Sequence, residues 1–215
     1  MREFLIKTFD KEEYAQSFIQ NGEMLFRHIR YFNQIEDNQV RGDSEEGLAK
    51  ENATLHLNQN VKTIHLGNSR FAVDWERFKK EHPEIKFKDE NVEFRLTYYA
   101  DVQLYCMTYV ASNTENLEEI FSNAKSFGQY SAVITNWQDF LAKIKNIPTA
   151  RCGLVEYSDN EERTLFKKRL AYKNQNEFRI FVEGSEDSRL LTVGHLQGFV
   201  CNAKSLGALK AQLME

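Results

Sequence analysis

The chain has 215 residues, the length of one large domain or two very small ones. Hydrophobic residues at 41% and aromatics at 13% supply a packed core and exclude a disordered or low-complexity chain. Lys and Arg number 28 against 32 Asp and Glu, a net charge of −4, so the whole-molecule field does not attract nucleic acid or an anionic membrane and any such contact must be local.

The first residues, MREFLIKTFDKEEY, lack the apolar centre and small-residue cleavage site of a signal peptide, and no apolar run approaches the roughly 20 residues that span a bilayer. The expected compartment is the cytoplasm. Asp10 with Glu13 has the form of a helix start, and Tyr14, Ala15, Phe18 and Ile19 recur at helical spacing until Asn21-Gly22, residue types that close a helix. EMLFRHIRYF reads as a strand in which Met24, Phe26 and His28 point one way and Leu25, Arg27 and Ile29 the other. From Glu36 to Asn52 charge is dense, Gly42 and Gly47 interrupt, and neither period holds, which predicts a long loop.

His56 to Leu66 and Val92 to Ala111 are rich in Val, Ile, Thr, Tyr and Phe, as strands are, and the second block is long enough for two. Between them DWERFKKEHPEIKF predicts a short helix ended by Pro83. Ser112 with Glu115 reads as a cap before NLEEIFSNAK, whose Leu117, Ile120 and Phe121 share a face. A strand in SAVITN follows, then a helix opened by Asn136 and Asp139. Strands in CGLVEY, NEFRIFV, RLLTV and GFVC come next, with a terminal helix from about Ala203. Cys106, Cys152 and Cys201 are far apart and odd in number, which fits reduced thiols. Clustered strands with peripheral helices and no Ser/Gly linker predict a single α+β domain over residues 1–215, with a central, mostly antiparallel sheet.

The segment Lys173 to Val182 concentrates candidate chemistry. Read as one strand, it places Gln175, Glu177 and Arg179 on one face, with Phe178 and Ile180 on the other and buried. The Gln175-x-Glu177 pair at the start of an apolar strand resembles the Gln-x-Glu signature of the ADP-ribosyltransferase superfamily. That resemblance implies a split sheet and NAD as cofactor. It also implies that Glu177 faces the nicotinamide ribose, where a fixed carboxylate stabilises charge that develops only in the transition state. The same order of parts is present elsewhere: Arg27 or His28 on the first good strand to hold the cofactor with Tyr31 and Arg179, then Tyr105-Cys106-Met107-Thr108-Tyr109, then the glutamate strand. Gln175 would orient the acceptor, a protein or nucleic acid.

FIQNGEMLFRHIRYFNQIEDNQVRGDSEEG, SFGQYSAVITNWQDF and LFKKRLAYKNQNEFRI also resemble a large group of bacterial and phage proteins of this length found near mobile or defence genes. That likeness adds Arg41, Asp43, Glu46 and Gly47 of the loop, Phe127 and Gly128, and Phe166 and Lys168 to the candidates, since loops on a rigid frame commonly bear sites. It implies a role as a conflict effector, and the composite site would be assembled from both ends of the chain. Mixed-sign charges such as Arg41, Asp43 and Glu46 equally suit a loop that simply pairs with itself.

Other chemistries are weaker. There is no Walker loop, G-x-G-x-x-G or G-x-S-x-G, and the cysteines have no histidine nearby in sequence. Asp43, Glu46 and Glu177 with Lys168 could form a Mg²⁺ nuclease site. The run Phe166-Lys167-Lys168-Arg169 beside Tyr172 and Lys173 could meet a phosphate backbone or a pyrophosphate, or be a solvated face. A non-catalytic module engaging a protein partner through the acidic loop from Glu36 to Glu51 is the alternative of another class, and it predicts a flat, covered surface at Gln175 instead of a pocket.

Overall fold

The computed structural model describes residues 2–34, 48–56, 63–66, 69–72, 80, 91–99, 101–159 and 164–209. They fall into two compact units, Met1–Leu48 with Tyr99–Glu215, and Ala49–Tyr98. In the second, strand β3 (Leu48–His56) pairs with β6 (Asn91–Tyr99), and β4 (Thr63–Leu66) pairs antiparallel with β5 (Ser69–Ala72). A strand therefore occupies residues 48–52 of the expected loop, the rest of which lies outside the described residues, and Val92 to Ala111 does hold two strands. The helix expected in DWERFKKEHPEIKF lies outside the described residues except for Lys80.

The first unit is α+β, with an eight-stranded, antiparallel sheet and helices at its periphery. Its strands are β1 (Glu3–Phe9), β2 (Glu23–His28), β7 (Val102–Ala111), β8 (Tyr130–Ile134), β9 (Arg151–Leu154), β12 (Glu177–Glu183), β13 (Ser188–Thr192) and β14 (Gly198–Asn202). Helices are α1 (Glu12–Asn21), α2 (Ile29–Gln34), α3 (Leu117–Lys125) and α4 (Trp137–Ile144), with 3₁₀ turns at Leu170–Gln175 and Ala203–Ala208. Two short strands, β10 (Glu156–Tyr157) and β11 (Lys167–Lys168), pair in parallel beside the sheet.

Period-two alternation divides the core between the two faces of the sheet. Leu5, Met24, Phe26, Tyr105, Met107, Phe178, Ile180 and Val182 face α1 and α4, where Ala15, Phe18, Ile19, Phe140 and Ile144 cover them. On the opposite face, Phe4, Ile6, Val110 and Val133 pack against α3 through Leu117, Ile120, Phe121 and Ala124. Farther along that face Leu104 and Phe181 meet Ile29 and Phe32 of α2.

Several local expectations change. Helix α1 is preceded by Lys11 in extended conformation with no side-chain cap, so Asp10 does not cap it, and Tyr14 faces outward at 52% exposure. Its end at Gly22 is as expected, with a left-handed φ of 64°. EMLFRHIRYF is a strand only to His28 and then turns helical, because Ile29 and Phe32 recur at helical spacing over the apolar patch around Leu104. Helix α3 starts after Asn116, not at Ser112, whose N–H donates instead to Arg2 O. Asn136 caps α4 as expected, its side chain accepting from Asp139 N–H at 3.1 Å.

Candidate functional site

Strand β7 is the axis of the sheet. One edge pairs continuously with β12 from Glu177↔Thr108 to Glu183↔Val102. The other edge is shared: β2 takes its start, with Arg27↔Leu104 and His28↔Gln103, and β1 takes its end, from Ile6↔Thr108 to Glu3↔Ala111. Between these stretches, from Tyr105 to Met107, the two neighbours part and the sheet divides. There the Lys7 ammonium stands in for the missing strand, donating to Cys106 O at 2.8 Å and lying 4.6 Å from the centre of the Tyr105 ring.

A cavity of about 360 Å³ opens at this division, a size suited to a small-molecule ligand. Its lining draws on both faces of the sheet: Ile6, Thr8, Arg27, Leu104, Cys106, Thr108 and Glu177 on one, Lys7, Phe9, Tyr105 and Met107 on the other. Asp10, Tyr14 of α1, Leu25 of β2, Tyr31 and Phe32 of α2, and Phe127, Lys168 and Gln175 complete it. Phe127 reaches it because Gly128 lets the chain pass against β1: a Cβ there would lie 2.4 Å from Phe9 O.

The polar wall is built where β12 begins. Gln175 closes a 3₁₀ turn, Asn176 takes a left-handed φ of 39°, and Glu177 is the first strand residue. The expectation that Gln175, Glu177 and Arg179 lie along one strand face is therefore corrected. Asn176, a residue type that tolerates this conformation, ends the turn and separates Gln175 from the strand. Glu177 and Arg179 do share a face, and Phe178 and Ile180 are buried on the other as predicted.

Glu177, Lys168, Gln175 and Arg179 form one buried network. Lys168 Nζ donates to Gln175 Oε1 at 2.7 Å and to Glu177 Oε2 at 2.8 Å. Arg179 Nε donates to Glu177 Oε1 at 2.7 Å, and its NH1 donates to Leu165 O at 2.6 Å. The Glu177 backbone N–H donates to Tyr157 Oη at 2.8 Å, and the Cys106 thiol also bonds the carboxylate. Burial by itself would push the Glu177 carboxyl up. The adjacent Arg179 and Lys168 charges outweigh it and hold the group well below the usual carboxylate range. Burial also pushes the Tyr157 hydroxyl up, and the Tyr105 hydroxyl well up.

The ambiguity on β2 resolves by alternation. Arg27 lines the cavity, its guanidinium 5.2 Å from the Tyr31 ring centre. His28 points to the opposite face and is buried, its Nδ1 accepting from Arg30 N–H at 3.2 Å. It does not reach the cavity. Arg179 is fully buried behind Glu177 and holds the carboxylate without itself lining the space. The basic run beside Tyr172 is not a uniformly solvated face: Lys168 is buried in the network, while the Arg169 guanidinium stacks on Tyr172 at 5.4 Å. Arg41, Asp43 and Glu46 lie outside the described residues. Among the described residues no three His, Cys, Asp or Glu side chains gather as a metal site, and none of Cys106, Cys152 and Cys201 forms a disulfide.

Sequence reasoning missed Lys7, Asp10, Tyr14 and Tyr157. Lys7 follows the alternation of β1 but gives no sign that it bonds a strand edge, and Tyr157 reaches Glu177 through the β10–β11 pairing, which two-residue strands do not announce. No described helix is long and apolar enough to cross a membrane. No family model, curated protein or solved structure matches the chain.

Proposed function

We propose that the chain transfers ADP-ribose from NAD to a macromolecular acceptor, acting in the cytoplasm as a bacterial or phage conflict effector. The observation that carries this reading is the convergence of Arg27, Tyr31, Gln175 and Glu177 on one cavity at the division of the sheet. Gln175 lines this cavity, whereas the binding-module alternative expects a flat, covered surface there. Cysteines outside any disulfide and the likeness to proteins encoded near defence genes support the compartment and the biological role.

The electrostatics of Glu177 fit this chemistry. A carboxyl held far below its ordinary value is ionised at any working pH, so it cannot serve as a general acid and is a poor proton acceptor. It is suited to stabilising positive charge. NAD supplies that charge: as the ribose–nicotinamide bond breaks, its electron pair leaves with nicotinamide and the ribose becomes cationic. Glu177, fixed by Lys168 and Arg179, meets this charge without reorganising. Arg27, whose described partner is the ring of Tyr31 and not a carboxylate, holds the pyrophosphate while Tyr31 flanks it. Gln175 orients the acceptor, whose nucleophile bonds the ribose carbon and gives up its proton to solvent.

The test is to incubate wild type and Glu177→Gln with labelled NAD and cell lysate, then follow label into separate protein and nucleic-acid fractions. Transfer by wild type that falls on the order of 10²-fold or more in a variant with unchanged circular dichroism supports the reading. No label in any fraction, with no NAD bound by calorimetry, overturns it in favour of the binding module. Mg²⁺-dependent strand cleavage lost on changing Asp43 or Glu46 overturns it in favour of a nuclease.

A further inference from the structure

Gln175 and Glu177 meet the same ammonium for a reason the backbone does not provide. Residues two apart on a strand share a face automatically, but Gln175 belongs to a 3₁₀ turn and the left-handed Asn176 stands between it and β12. One atom joins the two side chains: Lys168 Nζ, 2.7 Å from Gln175 Oε1 and 2.8 Å from Glu177 Oε2, on a residue only 4% exposed. Lys168 reaches that point because β11 pairs in parallel with β10, setting Tyr157 opposite Lys168. The Tyr157 hydroxyl in turn accepts from the Glu177 backbone N–H. The same segment supplies Leu165 O to Arg179.

We propose that Lys168 is a positioning residue: by donating at once to Gln175 and Glu177, its ammonium holds both side chains in the arrangement the transfer reaction uses. This rests on the NAD reading of the cavity. Two consequences follow from the donor geometry. An ammonium can only donate, so the Gln175 amide must turn its oxygen to Lys168 and its NH₂ group the other way. The side chain thus has one orientation, not two. Glu177 is oriented in the same manner: Oε1 accepts from Arg179 Nε at 2.7 Å, while Oε2 accepts from Lys168 Nζ at 2.8 Å and from Arg179 NH2 at 3.4 Å. Of these two cations only Lys168 lines the cavity, so it is the one that can set the carboxylate relative to a bound ribose. Arg179 then secures the rear of the same group.

Two measurements on the full chain test the proposal. In the first, the ionisation of the Glu177 carboxyl is followed by ¹³C NMR from neutral pH down to the acid limit of the fold, without ligand, in wild type and in Lys168→Met. Protonation beginning at a higher pH in the variant supports the proposal, and a carboxyl that stays equally ionised in both down to that limit overturns it. The second measures NAD turnover against pH. In Lys168→Met, kcat should fall about tenfold to a hundredfold, the cost of a slightly misplaced group, with KM within about threefold and the acid limb displaced upward. Lys168→Arg, which restores a donor cation, should recover part of the rate. Equal kcat in wild type and Lys168→Met, or a uniform loss shared by Lys168→Met and Lys168→Arg with no change in the pH profile, overturns the positioning role. Should Lys168→Met not fold, Lys168→Arg and Gln175→Leu carry the same comparison. Wild type without NAD turnover overturns the reading of the cavity, and the titration still decides whether Lys168 holds the carboxylate.

Discussion

Strand β12 has two interiors, one on each face. Phe178, Ile180 and Val182 enter an apolar core of Phe18, Phe26, Tyr105 and Phe140, while Glu177 and Arg179, one residue out of phase, enter a network of charges as deeply buried as that core. The apolar face stabilises the fold by removing area from water, a gain of about 1.5–3 kcal/mol for each large side chain. The charged face starts from a penalty, since each ion must leave water and its attraction to neighbours repays this only with good geometry. The geometry is good here, but an apolar trio of the same volume would hold the strand as well. A charged interior maintained beside a cavity is therefore better understood as serving the cavity than as serving stability.

That contrast can be broken by substitution, and the largest effects fall on the two interiors themselves. Phe178→Ala should cost about 3–5 kcal/mol in urea unfolding by lost burial and a residual void. Arg179→Met should cost a comparable 3–5 kcal/mol for a different reason, because it leaves the Glu177 carboxylate buried with part of its compensation gone. The two mechanisms separate in a combined variant. Replacing Lys168, Glu177 and Arg179 together with Met, Leu and Met should be neutral or stabilising by about 1–4 kcal/mol, with NAD turnover abolished. A combined variant as unstable as Arg179→Met would make the charged face a structural element after all.

Acid sharpens the same comparison by a smaller amount. The folded Glu177 carboxyl lies below its ordinary value of 4.5, so its contribution is present above that value and is lost as pH falls through it toward the folded one. Wild type should lose stability more steeply than Glu177→Gln from about pH 5 downward. Parallel slopes would mean that the network is not ionised as described. The smallest effect belongs to Arg27→Ala. Its described contact is the Tyr31 ring, so stability should change by less than about 1 kcal/mol. NAD affinity by calorimetry should nevertheless drop about tenfold or more with the loss of a charged donor.

Where period alone decides structure, the sequence was readable. The alternation in NEFRIFV places Phe178 and Ile180 in the core, and the helical spacing of Leu117, Ile120 and Phe121 finds the buried face of α3. Alternation assigns Glu177 a face opposite Phe178 but not a cavity, which the structure alone reveals. Errors arose where a single residue changes the period. Asn176 takes Gln175 off the strand, and the junction after His28 turns an apparent strand into a helix. The division of one edge of β7 between β1 and β2, at Tyr105 to Met107, is a matter of register, which depends on partners distant in sequence. Tyr157 and Lys7 escaped notice for the same reason, because each acts on a backbone group of a strand it does not neighbour in the chain.

The pairing of β7 with β1 on one edge and β12 on the other has a consequence in time. The cavity joins Lys7 and Arg27 to Cys106 and then to Lys168 and Glu177, so every wall depends on contacts that span most of the chain. Such contacts form late in folding because their loop-closure cost must be met before any packing rewards it. On the ribosome, synthesis runs from the amino end, and β1 and β2 emerge well before β12 can pair with β7. A growing chain therefore carries Lys7 and Arg27 before Lys168 and Glu177 exist to face them. The cavity is complete only after β12 has been made and has paired with β7.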